Sequence, residues 1–481
     1  MLRRLLAVLA VLLFAAAPYF AAAQKVVQLK NQPPAGALVE FLLTDGTVMV
    51  QSGNESTWYK LTPDNKGSYV NGTWKQVASL PSGYQPLYFA SAVLADGRLV
   101  ISGGEYNFDS FAFTNLGAIY DPVKDQWTNL KPPKGWQNIG DSPSSMLPDG
   151  RFMVGDKFHS KIAALDPKSL KWTELKSENK NEKWNAEEGW TLLPDGTILT
   201  WDVLANPLSE TYNPSTSKWK NLGSTVANLQ GPCLVCNCIQ VPPKNWCYYS
   251  PGETGPGILR PDGTVFATGA THSGENTAHT AIYTPGVGWA AGPDWPNNDQ
   301  ADDSSAALLP DGNVLTLGSS GNLYEFDGTN FTSKNIGGIG GYTSLMMLPT
   351  GEVLIGGYEV YQPQGTYQAA WQPTISSFPA SVKRGQTYKI SGTQFNGLSQ
   401  AASFGDEVET ATNYPLVRIT NNATGHVFYA RTHDHSTMGV ATGNTTVSTN
   451  FDVPASMEKG AGSLEVVANG IPSQPVSVTV K

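Results

Sequence analysis

Leu192-Leu193-Pro194-Asp195-Gly196-Thr197-Ile198-Leu199-Thr200 decides how this chain is read. An Asp-Gly step between two apolar, β-rich runs is a strong hairpin signal, because both residues tolerate the positive φ of a tight turn. The same phrase recurs as LLTDGTVMV around Asp45, VLADGRLVI around Asp96, MLPDGRFMV around Asp149, LRPDGTVFA around Asp262, LLPDGNVLT around Asp311 and MLPTGEVLI around Thr350. The seven copies are spaced 51, 53, 46, 67, 49 and 39 residues apart.

A second phrase follows most copies: Tyr or Leu, any residue, Pro, a short turn, then Trp. It reads Tyr120-Asp121-Pro122 with Trp127, Leu165-Asp166-Pro167 with Trp172, Tyr212-Asn213-Pro214 with Trp219, and Tyr283-Thr284-Pro285 with Trp289. Leu61-Thr62-Pro63 with Trp74 is a looser copy. Each unit therefore carries two hairpins, and the Trp is expected to pack between neighbouring units. Four strands per unit of about 50 residues is the signature of a kelch-type β-propeller, and seven units predict seven blades. The weak seventh unit lacks a clear outer strand, and Lys25-Val26-Val27-Gln28-Leu29 is expected to complete it. From Trp371 the Asp-Gly phrase stops, and short alternating strands follow, as in an immunoglobulin-like sandwich. The fold class is thus all-β, with a propeller over 24–371 and an immunoglobulin-like domain over 372–481.

The composition agrees. Of 481 residues 15% are charged, against about 25% in an average soluble chain, while Gly (49) and Pro (33) are plentiful. That excludes coiled coils and long helices, and 40% hydrophobic content excludes disorder. The net charge of −9 argues against nucleic acid as a partner, which needs a basic footprint. Arg3 and Arg4, the apolar run Leu5–Ala17 and Ala21-Ala22-Ala23 describe a secretory signal peptide over 1–23. Its loss takes the charge to −11, since both arginines leave and no acid does. The chain is expected to be exported, secreted or periplasmic, with no membrane span after cleavage, and monomeric. Cys233, Cys236, Cys238 and Cys247 crowd into the long 195-to-262 interval, which reads as an insertion. In an exported chain they are disulfide candidates; a thiolate metal site is the other reading.

With a signal segment, seven kelch units and an immunoglobulin-like tail, the chain resembles galactose oxidase and its relatives. SAVLADGRLVISGGEY (Ser91–Tyr106) resembles that family's second blade, and ANGIPSQPVSVTV the end of its last domain. ISGTQFNG is similar to the start of bacterial IPT/TIG-type (E-set) domains. The resemblance implies a copper-radical site, which can be tested residue by residue. The family's cross-linked Tyr falls on Tyr88, and its stacking aromatic on Tyr106. Its cross-linking Cys falls on Ala37 and its Tyr-His pair on Gly341-Tyr342. The last His falls on His433 or His435. Without a Cys at 37 the thioether cannot form, and one imidazole and one phenolate are missing. Tyr88 and one His are too few for a Cu(II) site of about four N/O ligands.

In that family the propeller's ligands sit at or beside one repeat position, eight residues before the Asp of Asp-Gly. Here that position reads Ala37, Tyr88, Asp141, Glu187, Thr254, Asp303 and Tyr342. Glu40, Glu188, Trp190 and Asp302 flank it. Tyr106, Asp156, His159, Asp202 and His272 follow the second strands and should reach the same face. The expectation is an acidic, aromatic-walled pocket at one mouth of the propeller, built on Tyr88, Tyr106, Asp141, Glu187, His272, Asp303 and Tyr342. Carboxylates beside aromatic faces suit sugars, carboxylates alone can hold calcium, and two across a pocket can act as acid and base. His433-Asp434-His435 would place both imidazoles on one side of a strand, a possible copper or zinc pair. The expected function is recognition of a glycan or a partner protein. The alternatives are a divergent copper oxidoreductase, which the incomplete site argues against, and a carboxylate-based carbohydrate-active enzyme.

Overall fold

All seven Asp-Gly phrases close in one way in the computed structural model. In the first, the Leu43 N–H donates to the Thr47 carbonyl and the Gly46 N–H to the Leu43 carbonyl, at 2.8 and 3.0 Å. The same two bonds recur from Leu94 to Leu348. The glycines have φ between 75° and 89°, the left-handed region that a Cβ disfavours. This is a type I turn closed by a left-handed glycine, a three-residue loop rather than a two-residue one. The Pro of the phrase sits at the second turn position, where its fixed φ fits. Each Asp then caps the turn: Asp45 Oδ1 accepts the Thr47 N–H at 3.0 Å and Asp149 Oδ1 the Arg151 N–H at 3.1 Å.

The structure describes residues 25–481 except 186, 232–234, 242–245, 251, 335–338, 342 and 405–409, and describes 235–241 and 246–250 by backbone alone. The expected signal segment, Tyr342 and the side chains of Cys233, Cys236, Cys238 and Cys247 therefore lie outside the described residues. Among the described residues the elements are strands and two short 3-10 turns.

Each of these turns joins the first two strands of an antiparallel sheet, four-stranded except the sixth, to which Ala402–Phe404 adds a fifth strand. The first sheet runs Glu40–Leu42, Val48–Gln51, Trp58–Thr62, Thr73–Val77; the third runs Ser144–Met146, Phe152–Asp156, His159–Asp166, Lys171–Leu175. The fourth runs Thr191–Leu192, Ile198–Trp201, Leu208–Asn213, Lys218–Ser224. In the seventh, Leu345–Met347, Val353–Ile355 and Glu359–Gln362 are completed by Lys25–Gln28, with Lys25 opposite Gln362. The N-terminal segment thus closes the ring with the outer strand that the seventh unit lacks. The first strand of each sheet touches that of the next, from Ala90–Val93 of the second sheet round to Leu345–Met347 and on to Glu40–Leu42.

A wedge of this kind needs small residues at the axis and large ones at the rim. Ala90, Ser91, Ser144, Ser145, Ser305, Ala306 and Ala307 are all fully buried on first strands. The rim carries Trp. Trp127 Nε1–H donates to the Ala78 carbonyl at 3.0 Å, Trp172 to Lys131 at 2.7 Å and Trp289 to Ser209 Oγ at 2.7 Å, each reaching back to the preceding sheet or the segment leaving it. Trp58 and Trp127 pack across one such seam at 5.2 Å. The 195-to-262 interval carries an extra hairpin, Val235–Val241 with Trp246–Ser250.

The C-terminal strands from Thr374–Ser377 to Val476–Val480 form one further β unit with its own core around Val417, Phe451 and Val466. Val427–His433 pairs with Leu416–Asn421 along its first half and with Val447–Asp452 along its second, so the unit folds over. It docks on the Asp-Gly end of the ring: the Thr432, His435 and Met438 N–H groups donate to the carbonyls of Thr44, Ala95 and Pro148 at 3.1, 3.1 and 3.0 Å. One piece leaves this unit. Ala402–Phe404 pairs with Ser305–Leu308 on its inner side and touches the first strands of the fifth and seventh sheets, so it occupies the axis. Gln400 locks the base of that segment by accepting the Leu192 N–H at 2.8 Å.

Candidate functional site

The far end of the ring, where each first strand begins, holds the candidate site. The backbone there turns sharply: Tyr88, Glu187 and Asp302 have φ of 51°, 57° and 56°. The left-handed region costs a side-chain-bearing residue roughly 1–2 kcal/mol, so the surrounding contacts must hold them. Thr254 Oγ1–H supports one of them, donating to the Glu187 carbonyl at 2.9 Å.

Asp141 and Glu187, neighbours in the repeat series, share one cation. Lys157 Nζ lies 2.5 Å from Asp141 Oδ2 and 2.5 Å from Glu187 Oε1. The lysine side chain is fully buried and the two carboxylates nearly so. Asp141 and Glu187, both expected at this mouth, are bridged by an ammonium that the repeat position does not mark. Lys157 follows the second strand of the third sheet, in a turn fixed by Asp156, whose Oδ1 accepts from Asn138 Nδ2 and the Phe158 N–H at 2.9 and 3.0 Å. Gly140 makes room for it, since a Cβ there would sit 3.3 Å from the Lys157 side chain.

Around this bridge stands an aromatic wall. Tyr88 meets Tyr106 at 6.1 Å, Tyr106 meets Phe111 at 5.6 Å, and Phe111 meets Phe113 at 4.2 Å. Phe113 meets Phe158 at 4.9 Å and Phe158 meets Trp184 at 6.0 Å. Lys157 Nζ lies 5.4 Å from the Phe113 ring. A small extra sheet, Pro86–Leu87, Tyr106–Asn107 and Ser110–Phe111, sets Tyr106 opposite Phe111. Tyr88, Tyr106, Phe111 and Trp184 stay partly exposed. Burial pushes the Glu105 carboxyl up to about 7, with Lys157 opposing and Glu187 adding to the rise. The Tyr106 phenol is also raised, by burial and then by the charges of Glu105 and Asp141.

The remaining candidates spread out. Asp303 is half-buried at the start of the sixth sheet. His272 is half-buried, with Nδ1 3.1 Å from the Gln230 carbonyl. His159 is mostly exposed beside Asp156, at 2.9 Å. Glu188 and Asp202 were expected at the mouth and are instead buried within the fourth sheet. There Lys180 Nζ contacts Glu188 at 2.8 Å and Glu210 at 2.9 Å, with Lys180, Glu188 and Glu210 all essentially buried. Burial opposes the charge of Lys180, yet the carboxylates raise its pKa. Burial pushes Asp202 up to about 8, reinforced by Glu210.

His433 and His435 are not a ligand pair. Asp434 has φ of 53°, which breaks the strand after His433, so the period-two expectation fails. His433 Nδ1 and Nε2 face Asp434 and Asp452 at 2.8 and 3.2 Å. His435 is buried with Nδ1 2.9 Å from Thr449 Oγ1 and its ring stacked on Tyr414. Burial holds the His435 imidazole down at about 3. His435 also touches the Asp-Gly end, through Ala95. Seven residues of extended chain separate Ala95 from Tyr88, about 20 Å. The copper-radical set does not fit: Ala37 offers no sulfur, the histidines lie at the other end of the ring, and Lys157 already engages two of the mouth's carboxylates.

A ring of antiparallel sheets with a C-terminal β unit seated on its turns, and one mouth lined by charge and aromatic rings, defines a β-propeller. No protein-family model matches the chain. The kelch-like protein terF of Aspergillus terreus is 24% identical over 173 residues, 35% of each chain. An F-box/kelch-repeat protein of Arabidopsis thaliana is 23% identical over 162 residues, 31% of this chain and 40% of that one. The matched stretches thus span about a third to two-fifths of those relatives. A fungal alcohol oxidase of the AA5 family, solved in complex with copper, superposes with a TM-score of 0.50 at 13% identity over 95% of this chain and 98% of that one. Together these agree with a propeller fold, similar in sequence to kelch-repeat proteins and in shape to that oxidase. Among the described residues no helix is long and apolar enough to cross a membrane.

Proposed function

We propose that this is an exported recognition protein, secreted or periplasmic, whose kelch-type propeller (24–371) binds a glycan or partner protein at the mouth where the first strands begin. The 372–481 unit, read as immunoglobulin-like, anchors the opposite end. The carrying observation is the Asp141–Lys157–Glu187 bridge beside four partly exposed aromatic side chains. Aromatic faces stack on the apolar face of a sugar ring, while fixed charged groups take its hydroxyls, which is how a few polar groups in an aromatic setting give orientation and specificity. A glycan array probed with the wild-type protein and with Tyr106→Ala and Trp184→Ala tests this. Binding that both variants lose supports the reading; binding that both retain places the ligand elsewhere.

A second reading rests on Glu105. Burial raises the Glu105 carboxyl to about 7, which suits a general acid near neutral pH. Turnover of the bound glycan that Glu105→Gln abolishes would make the protein a carbohydrate-active enzyme.

A further inference from the structure

The buried cluster beside the fourth sheet is dense in carboxyl oxygens. Four carboxylates, those of Glu182, Glu188, Asp202 and Glu210, surround the single ammonium of Lys180. Glu188 and Glu210 contact that ammonium directly. Glu182 is held differently, accepting the Val203 and Ala205 N–H groups at 3.3 and 2.8 Å. Asp202 accepts from Asn181 Nδ2 at 2.7 Å through Oδ2 alone. Its other oxygen, Oδ1, is buried without a hydrogen-bond partner, on a residue only 1% exposed. Buried carboxylate oxygens need a donor or a cation. Glu182, Glu188 and Asp202 each offer an oxygen within 4.8 Å of the others, a spacing that one ion can span.

We propose that Glu182, Glu188 and Asp202 form a calcium site. The donors are all oxygen, which selects a hard cation. Glu182 and Glu188 come from one irregular loop and Asp202 from the end of one strand, which suits the flexible coordination of Ca²⁺ better than the strict octahedron of Mg²⁺. The sequence pointed to calcium at the mouth; the structure assigns it to buried carboxylates, one of which, Glu188, directly follows the Glu187 that reaches Lys157. The bound ion would fasten that loop to the second strand of its own sheet through Asp202.

The test uses the full chain stripped with chelator, then titrated with CaCl₂ by calorimetry, with thermal melting in parallel. One equivalent of Ca²⁺ should bind and raise the Tm, because an ion that binds only the folded state stabilises it. Asp202→Asn should weaken binding by at least about tenfold. Glu182→Gln provides a second variant should the first not fold, and it too should weaken binding. No heat and no Tm shift at about 10 mM Ca²⁺, a concentration at which even a weak site would show by mass action, overturns the proposal. So does binding that both variants leave unchanged, or binding of Mg²⁺ in preference to Ca²⁺.

Discussion

Two buried lysines, one in the third sheet's outgoing turn and one in the loop before the fourth sheet, solve the same problem differently. Lys157 meets two carboxylates at 2.5 Å each, and partly exposed aromatic rings stand next to them. Lys180 also contacts two carboxylates, but two more crowd in, and the whole group is sealed from solvent. The first arrangement faces a mouth; the second faces inward and packs four carboxyl groups around one ammonium, with burial raising the pKa values of Glu188 and Asp202. A charged bridge beside stacking surfaces suits an organic ligand, and a surplus of buried oxygen suits a metal ion. The difference turns on the carboxylates around each lysine, not on the lysine itself.

The largest effect that would break this comparison comes from the lysines. Removing one partner from a buried ion pair costs about 3–5 kcal/mol, because the charge left behind is uncompensated. Lys157→Met should lose that much by chemical denaturation, and Lys180→Met a similar amount, since each leaves two contacting carboxylates without their cation. Losses below about 1 kcal/mol in both would mean that these pairs are solvated. The next effect compares the two ends of the ring by pH. His435, held at about 3 among His433, Asp434, Arg431 and Tyr414, resists protonation that the unfolded chain accepts below about 6.5. Its contribution is therefore lost as pH falls, by about 1.4 kcal/mol per unit below 6.5. His435→Gln should flatten that acid limb in denaturation measured from pH 7 to 4.

Glu105 at the mouth has the opposite sign. Its folded pKa, about 7, lies above the ordinary 4.5, so folding holds a proton the unfolded chain releases. Stability should fall by up to about 3 kcal/mol as pH rises from 4.5 through 7, and Glu105→Gln should remove the slope. The smallest effect is at the rim. Trp127→Phe removes the bond to the Ala78 carbonyl and should cost about 1 kcal/mol by thermal melting, without touching either lysine site.

The turns and their Trp partners were legible because each is local: Asp caps its own turn, Gly supplies the left-handed φ, and Trp follows at fixed spacing. Asp141 and Glu187 were legible by repeat position, and the structure brings them together. Lys157 was not, although it directly follows Asp156, which the repeat argument singled out. Lysine is ordinarily exposed, and nothing in a one-dimensional pattern marks the one that two distant carboxylates bury. Glu188 and Asp202 were named for the right end of the strands but the wrong depth, since position along a strand does not say which side of a loop a side chain takes. His433 and His435 failed for a backbone reason, the left-handed Asp434. Ala402–Phe404 threads the axis because Leu398–Ala402 is uncharged and mostly small enough to fit there, a composition that reads equally well as an ordinary loop.

The Lys157 mouth is the proposed binding surface. The most direct test takes the tightest ligand from the array and measures its affinity for the wild-type protein, for Trp184→Ala, and for Val287→Ser at an exposed turn of the fifth unit. Trp184→Ala should lose at least about tenfold in affinity, the size expected when a stacking contact is removed, and Val287→Ser should lose none. Equal affinity in all three would contradict that proposal.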